Sequence, residues 1–335
     1  MKAPVFRGVG KPLSIETLPD PNAGSGELVL KIGRCGICGS DLHATEENEW
    51  TLPEGTVLGH EFAGEVVEIG QGVTGYSIGD RVTALGIHTC GQCGNCLSGD
   101  PVWCQHRGAA PVGGAAQYAV VKAHASIRLP GSLSLADGAL IEPLACALHS
   151  VRLAGQMAGA HVLVLGAGAL GLATAFWANR LGAKRVVVAA RSRRNEHLAL
   201  RLGATHFLTT HELSELLVPT LGAPPNVIFE CVGAPAIVAQ AIDLVRPRGT
   251  VVIAGACPVS DVFRPLPVLI KEVRIQGSYG FDLHEFEIVA DTLDRDAGAP
   301  REMITHTVSL EELPTAFEAL RHPTGQCKVM VDPWG

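Results

Sequence analysis

No stretch of this 335-residue chain is apolar for the length a membrane-spanning helix needs, which excludes such a span. Basic residues are not in surplus. The 26 Lys and Arg stand against 33 Asp and Glu, a net charge of −7. That balance offers no basic face to a nucleic-acid backbone. The opening residues, MKAPVFRGVGKPLSIE, hold no long apolar run, so no signal peptide is expected and the chain reads as cytoplasmic. Internal repeats, low-complexity tracts and long linkers are also missing. What is plentiful is apolar surface. Hydrophobic residues make up 47 %, enough for a sizeable core, in a length that suits two domains. Ten cysteines without a leader segment argue for reduced thiols available to metals.

The rhythm of the chain changes once. Up to about residue 140, short β-segments such as ELVLKIGRC, FAGEVVEIG, DRVTAL and AQYAVVKA are punctuated by glycine and proline. They predict an antiparallel, barrel-like domain over 1–144. From about 145, the runs HVLVLG, RVVVAA, NVIFECVG, TVVIAG and VRIQGS alternate with helical segments. That alternation predicts an α/β domain over 145–281, a parallel sheet with helices on both faces. Residues 282–335 read as chain returning to the first domain.

Four cysteines crowd one segment, CGQCGNCLSGDPVWC: Cys90, Cys93, Cys96 and Cys104. Four thiolates at this spacing can wrap one tetrahedral zinc, and a closed shell leaves no position for a substrate. Gly91, Gly94 and Gly99 let the backbone fold tightly around it. The expectation is a structural zinc lobe over about 88–106. Cys146, Cys231, Cys257 and Cys327 lie in apolar contexts and read as core residues.

After the strand-like HVLVL comes GAGALG, which contains Gly166, Gly168, Ala169, Leu170 and Gly171. The first glycine allows a tight turn, the second lets a pyrophosphate approach the backbone, and the third allows close helix packing. The helix that follows offers unpaired N–H groups to the phosphate. The second strand ends at Ala190, where NAD-binding versions place an acidic residue. Arg191, Ser192, Arg193 and Arg194 follow instead. Guanidinium groups suit a 2′-phosphate, so NADP(H) is expected, with Arg191 as the main clamp, Ser192 donating and Arg193 or Arg194 assisting. Cys231, Val232 and Gly233 end the fourth strand, and Ala254 and Gly255 end the fifth. Both segments should border the nicotinamide half.

A second set of ligand types is sparser. GICGSDLH supplies Cys38, Ser40, Asp41 and His43; LGHEFAGEV supplies His60 and Glu61; IEPLA supplies Glu142. A thiolate, an imidazole and a carboxylate make a catalytic zinc shell with one open position. With these motifs in this order, the chain resembles the zinc-dependent medium-chain alcohol dehydrogenases, most closely the polyol, butanediol and threonine dehydrogenase branch. The resemblance implies a GroES-like β-barrel catalytic domain beside a Rossmann doubly wound cofactor domain. It implies that Cys38 and His60 bind the catalytic zinc, with Glu61 or Glu142 as the carboxylate. Asp41 would orient His60. Ser40 would meet the substrate oxygen, and His43 would pass the proton to solvent. Ser278, Tyr279 and Lys328 match positions near the coenzyme. The resemblance implies two zincs per chain, and a homodimer or homotetramer.

Two departures bear on substrate. Ala44 and Thr45 follow His43 where relatives often carry a large aromatic, and the segment 107–121 is short. Both should open the pocket. The acidic run Glu46, Glu47, Asn48, Glu49 could favour a cationic or polyhydroxylated substrate such as an amino sugar or aminocyclitol. The expected reaction is a zinc-dependent hydride transfer between NADP(H) and a secondary alcohol or ketone, in the ketone-reducing direction. The alternatives are a zinc-independent quinone or enoyl reductase on the same fold, and a non-catalytic NADPH-binding protein.

Overall fold

Short apolar segments between glycines and prolines become the strands of a mixed sheet. In the computed structural model, which describes residues 1–108, 110–322 and 325–335, the chain divides into two units. One is Met1–Glu142 with Phe281–Gly335, and the other is Pro143–Gly280. The short segment 107–121 includes Ala109, which lies outside the described residues.

The first unit opens with the hairpin β1 (Lys2–Val5) and β2 (Ser14–Thr17). It continues with β3 (Glu27–Gly36), β4 (Glu61–Ile69), β5 (Arg81–Ala84), β6 (Tyr118–Lys122) and β7 (Ser126–Arg128). The second unit holds β8 (His161–Leu165), β9 (Arg185–Ala190), β10 (His206–Thr209), β11 (Val227–Glu230), β12 (Thr250–Ile253) and β13 (Arg274–Gly277). The chain then returns to the first unit with β14 (Ile304–Ser309) and β15 (Lys328–Asp332).

In the first unit, β3 is the longest strand and the hub. Its early residues pair with β6, its last two with β15, and its other edge with β4. Leu28, Leu30 and Ile32 recur at the strand period and sit in one core with Phe62, Val66 and Val82. The returning chain completes that core with Phe317, Val329 and Val331. The pairs are antiparallel, as the alternation implies, except for β14 on β15, which are parallel.

The second unit is a six-stranded parallel sheet in the order β10-β9-β8-β11-β12-β13. Val162, Leu163, Val164 and Leu165 are all buried, as a strand covered on both faces requires. The strand order reverses between β8 and β11, the switch point where ligands bind in open α/β sheets. Edge strand β10 is the one that the apolar rhythm does not announce. Only Phe207 and Leu208 of its four residues are buried.

One buried carboxylate secures the first unit. Asp137 has a side chain only 1 % exposed, yet its oxygens receive Arg301 Nε at 2.6 Å and Nη2 at 2.8 Å. The backbone N–H and hydroxyl of Ser134 add bonds of 2.8 and 2.7 Å. Burial alone would raise the Asp137 pKa, but the Arg301 fork and Ser134 outweigh it and hold the group below the usual carboxylate value. The stabilisation is therefore present above the unfolded-chain pKa and is lost as pH falls through the lower folded one. Asp137→Asn should cost about 1–3 kcal/mol at pH 7, the range for buried donors left unmatched. Thermal unfolding between pH 2 and 7 checks this, because the deficit should shrink in acid.

Candidate active site

Tight turns bring the cysteine quartet together. Cys93 caps the short helix Gly94–Leu97, and Gly91 and Gly99 adopt φ of +70° and +92°. The four sulfurs lie within 4.8 Å of one another. Cys90 to Cys96 is 3.9 Å, Cys93 to Cys96 is 3.6 Å and Cys93 to Cys104 is 4.0 Å. A zinc–sulfur bond of about 2.3 Å implies tetrahedral edges of ~3.8 Å, so the quartet fits the ion. All four are thiols, not disulfides. Backbone N–H groups aim at the sulfurs, as from Cys90 to Cys104 at 3.3 Å and from Cys93 to Cys90 at 3.4 Å. Such donors, from Cys96 and Gln105, lower the Cys93 thiol to about 6, while burial and the facing Cys93 raise that of Cys96.

The sparser set forms around the helix Gly39–His43. Cys38 is its N-cap, and its N–H donates to Asp41 Oδ2 at 3.1 Å. The other Asp41 oxygen lies 3.2 Å from His60 Nδ1. With Nδ1 committed to Asp41, Nε2 is the ring atom left to meet a cation, in exchange for its proton. Cys38, His60 and Glu61 place one donor atom each within 4.8 Å. Glu142, on the helix Leu135–Leu153, lies outside this cluster. Ser40 Oγ sits 3.1 Å from Cys38 Sγ and 3.4 Å from His60 Nε2. Burial disfavours charge on His60, yet Asp41 and Cys38 outweigh it and hold its pKa well above the ordinary value. Thiol, imidazole and carboxyl donors that converge in this way suit a cation such as zinc. Cys35 is buried in the core beside it.

Glycines make room for the cluster. A Cβ on Gly36 would stand 2.1 Å from Glu61 Oε2, and one on Gly86 would stand 2.3 Å from His60 Cβ. Gly59 takes a φ of +102° just before His60. These positions are part of the site, although no ligand chemistry in the sequence marks them.

His43 ends the helix with Nδ1 3.5 Å from Glu46 Oε2. The other Glu46 oxygen receives Arg321 Nη1 at 2.9 Å. Arg321 also donates to Leu42 O at 3.0 Å and Thr45 Oγ1 at 2.8 Å. The acidic run is therefore folded onto the protein at Glu46, while Glu47 and Glu49 are exposed. Nothing near Arg321 in the sequence marks it for this contact.

The coenzyme motif folds as a strand, turn and helix. Gly166 has φ +107° after β8, and Gly168 caps the helix Ala169–Arg180. A Cβ on Gly171 would lie 2.0 Å from Gly166 O, so the first helical turn needs glycine there. Nothing lies within 4 Å of a Cβ on Gly168. The space at Gly168 is open beside the helix N-terminus, whose first N–H groups, those of Ala169 and Leu170, suit an anion. Beyond Ala190, Arg191, Ser192, Arg193 and Arg194 are exposed. Arg193 is engaged by Glu196 and Glu212.

The ends of β11 and β12 meet at a residue the motifs do not include. Buried Glu230 accepts the N–H groups of Val232 at 2.7 Å and Gly233 at 2.8 Å on its side chain. Its carbonyl accepts those of Ala254 at 2.9 Å and Gly255 at 2.8 Å. A carboxylate closing an otherwise apolar strand, VIFE, is the signal that could have found it. Cys231 is half-buried, and desolvation pushes its thiol up to about 12. Ser278 Oγ lies 2.8 Å from Ser150 Oγ, and Tyr279 is largely exposed.

Lys328 is not at the surface. Its side chain is 3 % exposed, and Nζ reaches Glu61 Oε1 at 2.7 Å, Oε2 at 2.6 Å and Ile37 O at 3.2 Å. Burial disfavours the ammonium, but Glu61 and Cys38 outweigh it and raise the Lys328 pKa. Lys328→Met strands a buried carboxylate and should cost about 3–5 kcal/mol, while Lys328→Met with Glu61→Met should recover most of that. Urea unfolding of the two variants measures the difference.

Comparison with known proteins covers the same two units. A model of the alcohol dehydrogenase GroES-like domain matches residues 24–131, and one of the zinc-binding dehydrogenases matches 169–295. The L-threonine 3-dehydrogenase of Escherichia fergusonii is 32 % identical over 326 residues, 95 % of each chain. The sorbitol dehydrogenase of Halalkalibacterium halodurans is 31 % identical, over 96 % of this chain and 95 % of that one. The crystal structure of a zinc-binding dehydrogenase from Sinorhizobium meliloti bound to NADP superposes with a TM-score of 0.89 at 32 % identity, covering 99 % of both chains. No helix among the described residues is long and apolar enough to cross a membrane. The paired domains, the converging donor sets and these relatives make the chain a member of the zinc-dependent medium-chain alcohol dehydrogenase family, in its polyol and threonine dehydrogenase branch.

Proposed function

We propose that this alcohol oxidoreductase transfers a hydride between NADP(H) and a secondary alcohol or ketone, and that each chain holds two zincs. The observation that carries the reading is the convergence of Cys38, His60 and Glu61 beside the Ser40 hydroxyl. Cys38, His60 and one carboxylate, Glu61 or Glu142, hold the catalytic ion; Cys90, Cys93, Cys96 and Cys104 hold the structural one. The catalytic ion supplies Lewis acidity toward the substrate oxygen, and the coenzyme carries the hydride.

The protein's own groups do the rest. Asp41 fixes the His60 ring through Nδ1, so Nε2 is the atom left for ligation. Ser40 orients the substrate hydroxyl and takes its proton in oxidation, or returns one in reduction. His43, with its side chain 34 % exposed, exchanges that proton with solvent, a task suited to an imidazole. Glu46 and Arg321 keep His43 in place.

The substrate reading is a polyhydroxylated, cyclitol or amino-sugar-like molecule, taken in the ketone-reducing direction. Ala44 supports a roomier pocket, and relatives named for sorbitol and threonine support a polar secondary alcohol. With Glu46 bound to Arg321, any attraction for an ammonium group falls to Glu47 and Glu49. Coenzyme choice rests on Arg191 and Ser192. The proposed assembly is a dimer or tetramer in the cytoplasm.

Elemental analysis should find two zincs per chain, and Cys93→Ser should lose one of them together with thermal stability. Catalytic efficiency with NADPH should exceed that with NADH; equal values, or a preference for NADH, would sink the coenzyme assignment. A His43→Ala variant should lose rate mainly at lower pH, and an unchanged pH–rate profile would count against the relay.

A further inference from the structure

The turn after β9 carries four exposed side chains, Arg191 to Arg194, and Arg193 among them is held by two carboxylates. Arg193 Nη1 donates to Glu196 Oε1 at 2.8 Å, while Nη2 donates to Glu212 Oε1 at 2.7 Å and Oε2 at 2.8 Å. One guanidinium between two carboxylates presents no net positive charge to an incoming phosphate. Glu212 is itself fixed. Its Oε2 accepts the N–H of Thr209 at 2.6 Å and the Thr209 hydroxyl at 2.9 Å, at the end of β10. On the other side of the turn, Asn195 Nδ2 donates to Ala167 O at 2.8 Å, within the glycine-rich turn. The segment is thus tied to the next strand through Arg193 and to the pyrophosphate turn through Asn195. Arg191 and Ser192 lie just ahead of these ties.

We infer that Glu212 is a positioning residue for coenzyme selection. Through Arg193 it fixes the turn that presents Arg191 and Ser192 to the 2′-phosphate, and Arg193 does not bind that phosphate itself. The inference rests on the NADP(H) reading above. It runs against the sequence pattern, in which Arg193 looks like one more phosphate ligand.

The two roles for Arg193 predict opposite signs. If Glu212 braces the turn, Glu212→Gln weakens binding of adenosine 2′,5′-bisphosphate roughly two- to fivefold, the scale an exposed ion pair carries. Binding of 5′-AMP should hardly change. Arg193→Gln should act alike, and the double variant should be no weaker than either single one, because both remove the same link. Calorimetric titration of the full-length protein reads all four. If Glu212→Gln tightens the bisphosphate, Arg193 has been released onto the phosphate and the inference is overturned; no change overturns it too. If the wild type binds the bisphosphate no better than 5′-AMP, the NADP(H) reading fails instead. Hydrogen exchange at residues 191–195 then decides the brace. Faster exchange in Glu212→Gln sustains it, and unchanged exchange removes it.

Discussion

A buried ammonium and a buried carboxylate meet beside the metal-ligand candidates, and much of the first unit is arranged so that neither is left alone. Lys328 begins β15 and Glu61 begins β4, with β3 between them. Both groups are out of water, so their attraction must outweigh two desolvation costs. It does so through short contacts to both Glu61 oxygens and a further bond to the Ile37 carbonyl. Gly36, which lacks a side chain, leaves the space in which the pair fits. Because His60 directly precedes Glu61, the pair also fixes the strand end from which the His60 imidazole projects. Such a pair contributes more to geometry than to net stability. It sets where β15 lies and what charge faces Cys38.

The same logic of supported ligands recurs at smaller scale. Asp41 serves Cys38 through the backbone and His60 through its side chain, so one carboxylate aligns two donors of different chemistry. Glu230 does the equivalent in the second unit, where its carboxylate accepts the N–H groups of Val232 and Gly233 while its main-chain carbonyl takes those of Ala254 and Gly255. In each case an acid holds groups to which the proposed function assigns binding. Anions suit this work because one carboxylate accepts several hydrogen bonds at once.

What was legible in the sequence is what depends on near neighbours. The cysteine quartet and the GAGALG turn are local geometry, written within fifteen and six residues, respectively. The apolar rhythm likewise disclosed the barrel-like and Rossmann halves, though not each strand: in the second unit β10 escaped because half of its four residues carry no burial signal. Pairings across long separations were not legible. Lys328 on Glu61, Arg301 on Asp137 and Arg321 on Glu46 all join the returning segment to the first part of the chain. Nothing local distinguishes such a lysine or arginine from a solvated one. Arg193 is the converse case. The adjacent arginines suggest a phosphate ligand, and beyond the nearby Glu196 only the fold brings up the second carboxylate, Glu212, that engages it.

The division of the chain has a consequence for synthesis. The coenzyme unit is one continuous segment, so all six of its strands exist once residue 280 has been made. The first unit is interrupted. Its sheet lacks β14 and β15, and Glu61 lacks Lys328, until the last few residues emerge. A growing chain therefore carries an unfinished sheet, with Glu61 not yet met by Lys328, at a stage when the other unit already has all its strands. The catalytic half begins first and is completed last.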